Sequence, residues 1–153
     1  MARSELDRAY RLAGLVLGTG ADAEEAVGDA LERAVRSIHG LRDDRLFRAW
    51  FDRILVNACR DRLRRRRLVR FVPIDAVSHR SSDRDAFATI IDSDDLLRAV
   101  GQLPPDDRIT VVLRFWADLE VNEIAARTGV PAGTVKSRLH RALGRLRQAV
   151  ARP

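Results

Sequence analysis

Residues 129–143 read GVPAGTVKSRLHRAL and combine a turn with an amphipathic helix. The apolar residues recur at i, i+4, i+7 and i+8, a spacing that predicts one inward helical face. These are Val135, Leu139, Ala142 and Leu143. The polar residues between them must point the other way, as an outward row rich in cations. This row consists of Thr134, Lys136, Ser137, Arg138 and Arg141.

The preceding residues give this helix a partner. Within 120–142, a short helix leads to a turn at 129–131 and then to the second helix. Ile124, Ala125 and Val130 are suited to the inward contacts, and Gly129 permits left-handed turn geometry. This order is typical of a helix-turn-helix, whose second helix lies in the DNA major groove. The alternative is an interaction helix for a protein partner, which is disfavoured because the outward face carries no apolar residues.

Composition narrows the class of protein. The 153 residues suit one medium domain or two small ones, and 46% hydrophobic residues are enough for real cores. A net charge of +6 favours a polyanionic partner. Cys59 is the only cysteine, which excludes an internal disulfide or a cysteine metal cluster and favours a reducing compartment. The three histidines share no ligand spacing and no phosphate-binding glycine loop is present, so we expect no metal, no cofactor and no enzyme.

The charges and the periodicity divide the chain in two. Residues 60–70 and 136–152 each carry +6, whereas 22–32 contain five acids and no base. Periodicity fades over the predicted linker at 69–92, with a brief strand possible only at 71–74. We therefore predict an all-α protein of two small helical domains, 1–68 and 93–153. The predicted helices cover 4–17, 22–38, 45–68, 92–102, 106–116, 121–128 and 131–151.

The N-terminal segment resembles a signal peptide only loosely. Its apolar run is short, and Leu6, Tyr10, Ala13 and Leu17 fall on one stripe of an amphipathic helix. No run approaches the roughly 18–20 apolar residues of a membrane span. We expect a soluble cytoplasmic protein with no membrane insertion.

Two segments resemble one known family. Residues 103–147 are similar to the fourth region of bacterial extracytoplasmic-function (ECF) sigma factors, for which the run GTVKSRLHRA is diagnostic. Residues 46–67 (LFRAWFDRILVNACRDRLRRRR) resemble the second region of that family, with Phe47, Trp50, Asn57 and Asp61 at its patterned places. Order and separation also fit, so the resemblance covers nearly the whole chain.

The resemblance implies a function for each domain. Region 2 binds core RNA polymerase and opens the promoter element near the start site, and region 4 reads an element about three turns further upstream. The chain would thus direct promoter-specific transcription initiation with core polymerase and promoter DNA as partners. An anti-sigma factor is a further partner that this family admits.

The resemblance also assigns site residues. In region 4, Lys136, Ser137 and Arg141 would face bases, and Thr134 and Arg138 phosphates. In region 2, phosphates would meet the basic helix end, and a base pocket would form beside the loop 39–45. The region 2 residues are Phe47, Asn57, Arg60, Asp61, Arg64 and Arg65. The polymerase contact would be the acidic helix, through Glu24, Glu25, Asp29 and Glu32.

Several alternatives remain open. Trp50 and Phe51 are better explained as core residues, Phe47 fits the core as well as the pocket, and Asn57 can simply cap or bridge helices. Gly28 stands where the family has a glutamine, and the first helix is shorter than in relatives. These departures motivate an alternative, a sigma-like DNA-binding regulator that no longer engages polymerase. The acidic tether, 69–93, is either a plain solvated spacer or a segment that covers the basic zones at low salt.

Overall fold

The computed structural model describes residues 2–69 and 94–151, which form helices and, within those ranges, no strand. The all-α prediction is confirmed. The predicted strand at 71–74 and the predicted linker from residue 70 onward lie outside the described residues, as does most of the acidic tether. The helices are α1 Ala2–Leu17, α2 Gly20–Ser37, α3 Phe47–Val69, α4 Asp94–Gln102, α5 Pro105–Val111, α6 Val121–Thr128 and α7 Ala132–Ala151.

Helices α1 to α3 form the first unit. The chain turns between α1 and α2 at Gly18, whose φ of 77° is in the left-handed region that glycine tolerates. Thr19 caps α2, because its side-chain oxygen accepts a hydrogen bond from the Asp22 N–H at 3.3 Å. Leu12, Val27 and Leu55 are completely or almost completely buried, so each helix contributes one apolar face to the core.

Helices α4 to α7 form the second unit, in which α6 and α7 are the predicted helix-turn-helix. A capping box between Glu120 and Glu123 begins α6, and Gly129 ends it in the left-handed conformation at a φ of 73°. Ile124 and Val135 are fully buried between the two helices. The turn chemistry expected of Gly129 and the inward position of Ile124 are therefore confirmed.

The helix predicted at 106–116 is not α-helical throughout. Helix α5 ends at Val111, and Val112–Trp116 forms a π-helical turn. The wider turn leaves Phe115 59% exposed, whereas Trp116 packs against the core beside α1. Single π-helical turns are rare and depend on tertiary context, so periodicity alone did not predict this one.

The two units pack against each other. Helix α3 of the first unit contacts α5 and α6 of the second, and α1 contacts the π-helical turn. Arg108 donates a hydrogen bond from Nη1 to the Val16 carbonyl at 3.0 Å, which joins the start of α5 to the end of α1. The sequence predicted two tethered units but gave no indication of this closed arrangement.

The ion pairs of Asp22 in α2 predict a pH-dependent stability. Burial raises the pKa of Asp22, but Arg66, Thr19 and Arg62 outweigh that effect and hold the pKa below its ordinary value. A carboxylate with a lowered folded pKa stabilises the fold above its unfolded pKa, and this contribution is lost as pH falls through the folded pKa. We expect Asp22→Asn to lower the free energy of unfolding at pH 7, with the difference shrinking below about pH 4.

Urea denaturation of the parent and the variant at several pH values measures this effect. Asp118→Asn is the control, since Asp118 is almost fully exposed and its positive φ of 56° suits asparagine. A deficit in Asp22→Asn that persists unchanged into acid would contradict the assigned role of the ionised carboxylate.

Candidate nucleic-acid interface

The outward row of α7 lies opposite a face of the helix that is packed in the core. Val135 and Ala142 are fully buried beneath it, while Lys136 and Ser137 are exposed and Thr134 is half-buried. Ser137 donates a hydrogen bond from Oγ to the Gly133 carbonyl at 3.0 Å. The first turn of the helix therefore presents short polar and cationic groups to the exterior, as the sequence predicted.

The two arginines of the row are already bound within the protein. Arg141 donates from Nε and Nη2 to the two oxygens of Asp107, at 3.0 Å and 2.7 Å. Asp107 is buried, and its hydrogen bond raises the pKa of Arg141, whose side chain is 53% exposed. Arg138 is less accessible, and its Nη2 lies 3.6 Å from Asp106 Oδ2. Arg141 is thus held in a fixed orientation, with half of its surface still open to a partner.

The aromatic residues at the start of α3 lie together. Phe47 is half-buried and stacks on Phe51, with ring centroids 5.8 Å apart and an interplanar angle of 4°. Its ring is also tilted against that of Trp50. Phe51 is buried and Trp50 packs against the core, as their assignment to the core predicted. Phe47 is an edge residue, with one side in the core and one side accessible.

The basic end of α3 has two faces. Arg62 and Arg66 point toward α2, where Arg62 pairs with Glu25 and Asp29 and Arg66 pairs with Asp22. Arg66 also donates to the Leu17 carbonyl at 2.7 Å. These two arginines hold the first unit together and are not free cations for DNA.

The site residues predicted within 57–65 of α3 are placed differently from one another. Arg64, Arg65 and Asn57 are exposed. Asp61 accepts a hydrogen bond from Arg33 of α2 at 3.3 Å. Arg60 is largely covered, with its Nη1 3.4 Å from Asn57 Oδ1 and its Nε 3.0 Å from Asp106 of the second unit.

The outer face of α2 carries both acids and apolar residues. Glu24, Glu25 and Glu32 are exposed and Asp29 is half-buried, although Glu25 and Asp29 pair with Arg62, and Glu32 pairs with Arg36 at 2.6 Å. Three large apolar side chains lie uncovered at i, i+4 and i+7, two on α2 and one in the 3-10 turn Ile38–Gly40 that directly follows it. They are Leu31, Val35 and Ile38, here called the α2 stripe. Sequence reasoning missed this stripe, although its spacing was a signal for a second apolar face.

Comparisons with known proteins identify the family. Residues 1–69 match the model of Sigma-70 region 2, and residues 93–146 match that of Sigma-70, region 4. RNA polymerase sigma factor SigV of Bacillus subtilis is 32% identical over 138 residues, covering 90% of this chain and 81% of the relative. ECF RNA polymerase sigma factor SigM of Mycobacterium tuberculosis is 37% identical over 137 residues, covering 90% and 68%.

A solved structure resembles the whole chain. It is the sigma factor RpoE of Bartonella quintana in complex with the anti-sigma factor NepR, with a TM-score of 0.71 and 25% identity. The match covers 95% of this chain and 91% of that one. Each unit makes up less than half of this chain. A TM-score of 0.71 therefore requires the two units to have similar relative positions in both proteins.

This chain belongs to the ECF group of bacterial RNA polymerase sigma factors. It is a factor that binds core RNA polymerase and directs promoter-specific transcription initiation through a region 4 helix-turn-helix. Sigma factors are not catalytic enzymes. None of the helices within 2–69 and 94–151 has the length and apolar character that crossing a membrane requires.

Proposed function

We propose that the outward row of α7 reads the upstream promoter element. The observation that supports this proposal is that Lys136 and Ser137 are exposed on a helix whose opposite face is fully buried. Arg141 lies in the same row and is oriented by its hydrogen bonds to Asp107. A guanidinium held by one edge keeps its other edge for a base, and arginine and lysine are the usual partners of guanine. Half-buried Thr134, and Arg138 once it is released from Asp106, are assigned to phosphates.

We propose that α3 contacts and opens the element near the start site. Arg64 and Arg65 are exposed cations for the phosphate backbone, and Arg60 joins them when the second unit moves away. Phe47 offers an accessible ring at the start of α3, and exposed Asn57 and the half-buried Asp61 follow further along the same helix. Stacking and hydrogen bonding to base edges are the interactions that hold an unpaired base.

The third proposed surface binds core polymerase and is the outer face of α2. Acids at Glu24, Glu25, Asp29 and Glu32 are suited to a basic partner, and the α2 stripe offers apolar area for burial. An exposed stripe rimmed by charge is typical of a protein interaction site. Size-exclusion co-elution of the parent and of Val35→Glu with purified core polymerase tests this surface, and equal co-elution of the two would contradict it.

The partner list has two further proposed parts. One is an anti-sigma factor, because the RpoE structure that resembles this chain was solved in complex with one. The cytoplasm is the proposed place of action, because core polymerase and the bacterial chromosome are there. A role without catalysis is consistent with the family.

Two substitutions in α7 distinguish base reading from phosphate binding. We expect Arg141→Ala to cost about 1–3 kcal/mol of binding to fragments selected by the parent protein, and to relax sequence preference at one position. Arg138→Ala should weaken all sequences alike and lower the salt dependence of binding, because it removes a phosphate contact. Fluorescence anisotropy with selected and scrambled duplexes measures both effects.

The structural role of Arg141 needs its own control. Arg141→Ala also strips buried Asp107 of a partner, so Asp107→Asn is measured beside it together with the thermal stability of each variant. Equal and sequence-independent losses in Arg141→Ala and Arg138→Ala would remove the base-reading assignment.

A further inference from the structure

The two units meet across Asp52 of α3, a carboxylate with no exposed surface. Its two oxygens accept hydrogen bonds from Arg8 of α1 at 2.7 Å and 2.9 Å. Arg127 of α6, in the second unit, donates from Nε to Asp52 Oδ2 at 3.1 Å. Removing one partner of a buried ion pair is costly, because the other charge stays desolvated. We call Arg8, Asp52 and Arg127 the Asp52 lock.

A looser contact lies beside the Asp52 lock. Asp106 of α5 is shared by Arg60 of α3, at 3.0 Å, and Arg138 of α7, at 3.6 Å. The N–H groups are poorly directed: Arg60 Nε and Nη2 and Arg138 Nη1 are buried without a hydrogen-bond partner in the part of the chain that the structure describes. Phosphate oxygens can satisfy such donors with charge-assisted bonds, so both cations gain by exchanging Asp106 for DNA.

The closed arrangement conflicts with binding two distant elements. This step rests on the proposed function, in which α3 and α7 contact promoter elements about three turns apart. Three turns of duplex span about 100 Å. In the closed chain, Arg60 of α3 and Arg138 of α7 approach the same carboxylate. The units must therefore separate before one chain can contact both elements.

We propose that the Asp52 lock is a self-inhibitory device that keeps the free chain closed. While it is formed, Arg60 and Arg138 are turned toward Asp106 and away from phosphates. The RpoE structure has its units similarly placed while it is bound to an anti-sigma factor. In this chain, Asp52 and Arg127 supply an intramolecular pair that stabilises the same placement. Polymerase and promoter then open the chain by binding the separated units.

The distance between the units tests the lock directly. Nitroxide labels at Val35→Cys and Val150→Cys, both exposed, report this distance by double electron–electron resonance on the full chain. Cys59 stays unlabelled, because burial raises the pKa of its thiol to about 12. We expect a narrow distribution in the parent and a longer, broader one in Arg127→Ala. A broad distribution in the parent, or an unchanged one in Arg127→Ala, would overturn the proposal.

DNA binding gives a second readout with an opposite sign. The probe is a fluorescein-labelled 30-base-pair duplex of random sequence. Arg127→Ala loses a positive charge, which by itself weakens binding to DNA. Opening should nevertheless tighten binding about tenfold, because apparent affinity rises with the fraction of competent molecules. Arg36→Ala loses the same charge from an exposed pair and should bind no tighter than the parent. Weakening of both variants alike would refute the lock.

Asp106→Asn keeps the test decisive if Arg127→Ala fails to fold. It releases Arg60 and Arg138 and leaves Asp52 untouched, so we expect several-fold tighter binding than in the equally charged Asp118→Asn. Equal affinities would overturn the proposal that the closed chain withholds Arg60 and Arg138 from DNA. Core-dependent transcription separates the two proposals. If the parent supports transcription but Arg127→Ala changes neither the distance between the units nor the affinity for DNA, only the lock is refuted. If Arg127→Ala opens the chain but neither protein supports transcription, only the proposed function is refuted.

Discussion

Val35→Glu is expected to weaken binding of core polymerase by about 2–4 kcal/mol, or about 30- to 1,000-fold. Val35 is 73% exposed and lies at the centre of the α2 stripe, between Leu31 and Ile38. A charge at the centre of an apolar contact must be desolvated without a partner, which is why the expected loss is large. Fluorescence anisotropy of the labelled chain titrated with core polymerase measures it.

Two companion variants sharpen this test. Val150→Glu introduces the same charge at an exposed valine of α7 and should leave core binding unchanged. Gly28→Gln should tighten binding, because a side chain at Gly28 meets nothing within 4 Å and glycine costs a helix about 1 kcal/mol. Full affinity in Val35→Glu and no gain in Gly28→Gln would together contradict the assignment of the polymerase contact to this face of α2.

Ile124→Ala is expected to lower the free energy of unfolding of the second unit by about 2–5 kcal/mol. Ile124 is fully buried in α6, which supports α7. A unit of four short helices has little stability in reserve, so this loss should also abolish recognition of the upstream element. Urea denaturation followed by circular dichroism gives the first quantity, and anisotropy with selected duplexes gives the second.

The matched control deletes apolar atoms where they are exposed. Val150 is 59% exposed, so Val150→Ala should change stability by less than about 0.5 kcal/mol. A similar small change in Ile124→Ala would mean that α6 does not hold α7 in place.

Local patterns predicted the helix-turn-helix well because its signals lie within a few residues. The predicted 121–128 helix agrees with Val121–Thr128, and Gly129 has the expected left-handed conformation. The π-helical turn at Val112–Trp116 was missed, since its residues fit an ordinary helical period and only packing against α1 distinguishes them.

The roles of the arginines in α3 were only partly predictable. The run 60–67 suggested phosphate contacts on all sides of the helix, but Arg62 and Arg66 pair with acids of α2. Their spacing of four places them on one face, and the acids that they meet also form one stripe. Matching the two stripes would have predicted this bridge.

Contacts between the units lay beyond sequence reasoning. No local sequence pattern distinguishes Asp52 or Arg127 from the other charged residues of the helices. Only the packing of α6 on α3 brings them within 3.1 Å and buries them. A long segment between two units leaves many relative placements open, so no local pattern identifies the one adopted.

Genome-wide run-off transcription tests the central claim most directly. Purified core polymerase is incubated with fragmented DNA of the genome that encodes this chain, with and without the protein, and transcript 5′ ends are sequenced. We predict new start sites that require the chain and share two elements upstream, with Ile124→Ala and Val35→Glu both losing them. Identical sets of start sites with and without the chain would contradict its assignment as a working sigma factor.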